Sequence, residues 1–195
     1  MQSTRLLPVL FVLALPSIAA AQPEAQPAAR EGLELAVGLN GGEIQCESAG
    51  GFCDDFTEAG GANLAASYFF SPTIGIYLDL WAMSHRDGDF TFTHYVNTVG
   101  VKVRPVPILT LTGGVGAAHA TLDYQGFVNT RATSDDGAAV LLAASLDVIR
   151  ARRWALAVEA RAGIGFYGDD MDNNGEPDVV GRNLGLGATL HVFGF

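Results

Sequence analysis

From residue 32 to the end of the chain, apolar residues alternate with small or polar ones, the mark of strands whose two faces meet different surroundings. Over 32–40, Leu33, Leu35, Val37 and Leu39 share one face, and Glu34, Ala36, Gly38 and Asn40 share the other. The same alternation predicts strands over 62–70, 74–83, 90–103, 108–122, 140–148, 154–167 and 183–195, eight in all. It is clearest in the seventh, where Trp154, Leu156, Val158, Ala160, Ala162, Ile164 and Phe166 oppose Ala155, Ala157, Glu159, Arg161, Gly163, Gly165 and Tyr167. In the fourth, strict alternation would group Asn97 with Val99, Val101 and Val103, which predicts a bulge near Val96.

The connections alternate too. Those at 71–73, 104–107 and 150–153 are short, and Pro105 and Pro107 close one of them. Those at 41–61, 84–89, 123–137 and 168–181 are polar, and three are long; Asp87-Gly88 signals a hairpin within the remaining one. Short turns at one end and longer loops at the other describe an up-and-down barrel. The predicted fold is therefore all-β, a single eight-stranded antiparallel up-and-down β-barrel over 32–195. Asp54, Asp55, Asp135, Asp136, Asp169, Asp170 and Asp172 fall at its long-loop end, and Lys102, Arg104, Arg150, Arg152 and Arg153 at the other, so the barrel is electrically polar along its axis.

Which face points outward follows from the charges. A chain that is 49% hydrophobic and 16% charged, with no apolar run long enough for a membrane helix after residue 32, must place its aliphatic faces somewhere other than water. The non-aliphatic faces hold Glu34, Asp79, Lys102, Asp147, Glu159 and Arg161. Those charges suit a narrow interior where they can pair, and the aliphatic faces suit hydrocarbon, so the barrel is read as transmembrane. Glu159 and Arg161 are expected inward and paired; structural pairing is favoured over an ion path because eight strands leave an interior just wide enough for side chains. Tyr68, Phe70, Trp154 and Phe166 are read as interface anchors.

Residues 1–21, with Arg5, an apolar run over 6–15 and small residues to Ala21, read as a cleaved signal peptide, and 22–31 as a flexible lead-in. Export places Cys46 and Cys53 in an oxidising compartment, so a local disulfide within their loop is expected; no His or third Cys lies close enough in sequence to favour metal. A formal charge of -10 argues against a nucleic-acid partner.

The signal peptide, the strand count, the Leu-Thr-Gly-Gly-Val-Gly stretch at 111–116 and the terminal His191-Val192-Phe193-Gly194-Phe195 resemble the transmembrane domain of the outer membrane protein A family and related outer-membrane barrels. The resemblance implies residence in the bacterial outer membrane, contact with its lipid and lipopolysaccharide, and a role for Phe195 as the residue read by the outer-membrane assembly machinery. Leu184, Leu186, Ala188, Leu190 and Val192 share one parity while Phe193 and Phe195 have the other, so either the last strand carries a bulge or the terminal signal departs from the pattern. No peptidoglycan-binding domain follows the barrel, and an anchoring role of that kind is not expected.

Two further motifs carry candidate chemistry. Asp170, Asp172, Asn174 and Asp178 match the start of a calcium loop, but the twelfth position is Gly181 rather than the closing acid, so a solvated acidic loop is favoured over a weak calcium site and no other cofactor is implied. Ser84, His85, His94 and His119 lie near the outer rim, where a lipid A-modifying enzyme would need its nucleophile and base, but no nucleophile motif surrounds them. The expected function is non-enzymatic: a monomeric outer-membrane barrel with a structural or surface-interaction role through its long acidic loops. A lipid-modifying enzyme and a narrow channel for small solutes are the alternatives.

Overall fold

A computed structural model of the chain describes residues 31–47, 53–125, 129–134, 136–167 and 179–194. It contains β1 (Gly32–Glu47), β2 (Cys53–Phe69), β3 (Ile74–Asp87), β4 (Phe90–Val106), β5 (Leu109–Gln125), β6 (Asn129–Thr133), β7 (Gly137–Arg150), β8 (Trp154–Tyr167) and β9 (Val179–Phe193). Each pairs antiparallel with its neighbours, β9 pairs back onto β1, and the order β4-β3-β2-β1-β9-β8-β7-β5 closes through β4 and β5. Closure removes the exposed sheet edges that a membrane cannot satisfy.

The ninth strand is not a ninth stave. β6 pairs with Thr121–Gln125 and β7 with Leu109–Ala118, along the same edge of β5. Between them Ser134 holds the ladder: its N–H donates to the Ala120 carbonyl and its Oγ accepts from the Ala120 N–H, both at 2.9 Å. β6 and β7 are thus one long strand with an interruption, and the barrel has eight staves.

Several expectations change here. The connections over 41–61 and 123–137 are largely strand: β1 and β2 pair out to Cys46 and Cys53, and β5 runs to Gln125 before β6 returns. The cysteines therefore occupy opposite positions on paired strands rather than a loop. No bulge occurs near Val96, since β3 and β4 keep one register from Ile74 opposite Val103 to Asp87 opposite Phe90. Asn97 simply points outward with the valines, while Phe92, His94, Val96 and Thr98 point in. The last strand is not bulged either. Its registers with β1 and β8 are unbroken, and Phe193 turns inward, buried. The shifts that do occur lie between Val103 and Val106, where Pro105 has no N–H to give the ladder, between Asp147 and Ile149, and between Ile44 and Cys46.

Large inward side chains need small ones across the lumen. Trp81 is the clearest case: a Cβ at Gly163 would stand 2.8 Å from its Cζ3, and one at Gly185 3.1 Å from its Cζ2. Glycine on β8 and β9 is what lets an indole lie across so narrow a barrel.

Candidate functional site

The interior is layered along the barrel axis. Toward the short turns, Glu34 of β1 is fully buried and receives Lys102 Nζ at 3.0 Å and the guanidinium of Arg104, both from β4, with His191 Nδ1 of β9 at 3.2 Å. Arg104 also lies 3.6 Å from the centre of the Phe69 ring and 5.6 Å from that of Phe193, so the charged layer is capped by aromatic faces. Asp147, at the same end, pairs with Arg150 at 3.2 Å.

One layer further in, Arg161 of β8 reaches Asp79 of β3 across the lumen at 2.6 Å and Glu159 on its own strand at 3.4 Å, with its guanidinium 4.9 Å from the Trp81 ring. The Trp81 indole N–H donates to Asn40 Oδ1 at 3.1 Å, and Thr189 Oγ1 donates to Glu159 at 3.4 Å. Charges at this depth persist only when paired, and these are paired across strands far apart in sequence.

The outer half is different in kind. Ile44, Met83, Val96, Ala118, Ala139 and Leu141 form one buried cluster with Trp81, Phe92 and Tyr167. Within it sits a small polar group: His94 Nδ1 lies 2.7 Å from Asn183 Oδ1, and the His94 ring meets Tyr167 edge-on. The lumen is packed through its length with fully buried side chains, among them Trp81, Met83, Leu141, His94 and Glu34.

The exterior inverts this arrangement. Leu33, Leu35, Val37, Leu39, Leu64, Ile76, Leu78, Leu80, Val99, Val101, Val115, Leu142 and Leu186 are all exposed. So many exposed apolar side chains would be untenable in water, but they are what hydrocarbon solvates. On β8 the outward series runs from Trp154 to Phe166, roughly 40 Å along a strand and about 30 Å in height at a tilt near 40°, enough to cross an apolar band about 25 Å tall with an aromatic at each end. Tyr68 and Phe70 extend the lower girdle, and Tyr95 stacked on His119 at 4.4 Å marks the upper one.

Beyond that upper girdle the strands continue. β5 goes on for six residues past His119, roughly 20 Å, and is joined there by β6. In this projecting ribbon the polar pair Asp123 and Arg131, 2.5 Å apart, faces outward, while Phe90 and Tyr124 pack with ring centres 4.8 Å apart on the opposite face. Above the membrane the apolar face has changed sides.

The four rim residues that a catalytic site would need are not brought together. Ser84 points outward, bonded to Thr93 Oγ1 at 3.0 Å; His85 contacts the Glu58 carbonyl at 2.7 Å; His94 is inside the lumen; and His119 is outside, stacked on Tyr95. The calcium candidates Asp170, Asp172, Asn174 and Asp178, and the terminal Phe195, lie outside the described residues. Sequence reasoning missed Arg104 and His191 as members of the interior network, although Arg104 shares a face with Lys102 and His191 lies on the face of its strand opposite Leu184, Leu186 and Leu190, which was the signal available.

No protein-family model and no curated protein matches the chain. Solved structures do. The barrel is similar to Ail, the attachment invasion locus protein of Yersinia pestis, with a TM-score of 0.57 at 17% identity over 83% of this chain and 99% of that one. Neisserial surface protein A is similar with a TM-score of 0.54 at 17% identity, over 84% of this chain and 100% of that one. A second Ail structure, in complex with the heparin analogue sucrose octasulfate, gives 0.52 at 16% identity, over 83% and 99% of the two chains.

This is the fold of the small bacterial outer-membrane barrels. The exterior of the chain is built for the same solvent, and the protein resides in the outer membrane with its short turns and both described chain ends on one side. At the far end of the barrel the strand pairs β1–β2, β3–β4 and β5–β6 stand above the upper girdle.

Proposed function

We propose that the protein is a non-conducting outer-membrane barrel whose role is structural or surface-interactive, exercised through its projecting outer end rather than through its lumen. The observation that carries this is the contrast between a lumen filled by buried side chains and strand pairs β1–β2, β3–β4 and β5–β6 that rise above the lipid-facing band. Pairing beyond the membrane is not required to satisfy backbone groups in lipid, so it supports a surface held away from the lipid.

The chemistry of the partner is constrained by charge. One of the similar Ail structures holds a sulfated polyanion. A chain of net charge -10 whose acids gather at the outer end repels such a ligand, so the favoured partner is cationic or neutral. Contact with lipopolysaccharide at the upper girdle and reading of Phe195 by the assembly machinery belong to the same proposal. The enzyme reading is less favoured because Ser84 has no histidine within its hydrogen bonds, and His94 and His119 lie on opposite faces of the wall.

Two measurements test the proposal. Purified protein in planar bilayers is expected to give no stepwise conductance, and reproducible single-channel steps would replace this reading with a channel. Cells displaying the protein are expected to gain binding to a cationic or neutral surface, and to lose it when the segments 48–52, 126–128 and 168–178 are replaced by Gly/Ser linkers of equal length. Undiminished binding by the segment-exchanged barrel would remove the surface role.

A further inference from the structure

Of the three short turns at the inner end of the barrel, one carries exposed charge. The Ala151 N–H donates to the Trp154 carbonyl at 2.9 Å, which makes Arg152 and Arg153 the two apex residues of the hairpin between β7 and β8. The Arg153 carbonyl in turn accepts from the Phe193 N–H of β9 at 2.8 Å, so the turn is also tied to the next strand. Both arginines are exposed. The other two turns present Ser71, Pro72 and Thr73, and Pro105, Val106 and Pro107, without exposed charge.

Neither guanidinium is used inside the protein. Asp147, the nearby carboxylate of β7, is engaged by Arg150, and no acidic residue among those described pairs with Arg152 or Arg153. Glu31, just before β1, is separated from the turn by β9. A tight hairpin favours Gly, Asn or Asp at its apex, so two adjacent and mutually repelling cations there point to a reason outside the turn.

The surroundings identify that reason. The chain passes from Arg153 to the exposed Trp154 of the lower girdle in one residue. Beside it, the register shift between Asp147 and Ile149 leaves both Val148 and Ile149 exposed, and a hydrogen bond from the Asp147 N–H to the Ile108 carbonyl brings the exposed Ile108 alongside β7. A girdle tryptophan marks the depth where acyl chains give way to headgroups, which places the two guanidinium groups at the level of lipid phosphate. Arginine suits that position, because its apolar stem lies along the wall while its planar head offers a phosphate two parallel hydrogen bonds. A soluble anion would meet only the cations, whereas a phospholipid meets the cations and the apolar rim together.

We propose that Arg152 and Arg153, together with Trp154 and Ile149, form a docking site for one anionic phospholipid of the inner leaflet. Its phosphate and charged headgroup lie against the two guanidinium groups, and its acyl chains run along the apolar wall of β7 and β8. With acidic residues gathered at the outer end of the barrel, this turn is where the protein attracts an anionic lipid, and the attraction helps to fix the depth of the barrel in the bilayer. The site lies at the opposite end from the proposed surface role and is independent of it.

Fluorescence quenching in vesicles tests this, because the chain has two tryptophans, Trp81 buried in the lumen and Trp154 facing lipid. The protein is refolded into phosphatidylcholine vesicles holding a minority of phosphatidylglycerol, with bromine on the acyl chains of one lipid or the other. Brominated phosphatidylglycerol is expected to quench Trp154 as though enriched about fivefold or more beside it, and less so as salt is raised. Arg152→Gln with Arg153→Gln should lower the quenching to that of the bulk mixture, whereas Arg152→Lys with Arg153→Lys, which keeps both charges, should retain most of it. No enrichment in the wild type, the result if the arginines serve the cell wall instead, overturns the proposal. Enrichment that survives the paired Gln substitutions, or quenching that persists in Trp154→Phe, overturns it as well. The change in gel mobility on boiling reports that each variant has folded.

Discussion

Glu34 and Leu141 are both fully buried inside the same barrel, yet Glu34 sits among Lys102, Arg104 and His191, whereas Leu141 belongs to the apolar cluster of Ile44, Met83 and Val96. The inner half of the lumen is held by ions spread over β1, β4 and β9, and the outer half by close packing. An ion cluster specifies partners, because each charge is costly until it finds the others. A packed apolar cluster specifies volume, because each methyl must be accommodated. The ion cluster includes the β1–β9 seam where the two ends of the barrel meet, the one junction that no hairpin enforces.

The largest effect is expected from breaking the ionic half on one side only. Glu34→Ala strands two buried cations and should lower unfolding stability by about 3–5 kcal/mol, read by urea titration of the refolded barrel. Replacing the trio together, Glu34→Leu with Lys102→Met and Arg104→Leu, should restore stability to within about 1 kcal/mol of the wild type, because the desolvation cost goes with the charges. A triple variant as weak as the single one would mean that the charges themselves, and not their pairing, hold this half.

In the outer half, Leu141→Ala should cost somewhat less, about 2–3 kcal/mol, with no rescue by any charged substitution nearby. The same titration checks it. A loss below about 1 kcal/mol would show that this half is loosely filled, and would blur the contrast.

Outside the membrane the effects should become local. Cys46 and Cys53 are register partners on β1 and β2, a placement compatible with a cross-strand disulfide, which mass spectrometry of protein from the outer membrane should find. Reduction should speed amide exchange in residues 44–47 and 53–57 and leave the barrel midpoint unchanged. The smallest effect is expected from Asp123→Asn, since its partner Arg131 is 68% exposed and such pairs contribute little. Faster exchange in Thr121–Gln125 alone is the expected result, and a shift of the whole unfolding curve would join the projecting ribbon energetically to the span.

The alternation of residues was enough to assign the eight staves, their facing and the transmembrane character, because a wall with lipid on one side and packed side chains on the other imposes a period of two on every strand. The same signal misplaced the outer strand ends. At the outer ends of β1, β2 and β5, beyond the lipid-facing band, alternation loses its contrast, and paired strand read as loop. It also gave a false bulge near Val96 and left a bulge open in the last strand, because Asn97 facing outward and Phe193 facing inward each violate the polarity of their face without disturbing the register. Only the closed barrel decided which charge meets which. Asp79 finds Arg161 and Glu34 finds Arg104 because strand tilt and closure bring β3 opposite β8 and β1 opposite β4, distances across a lumen that no local pattern encodes.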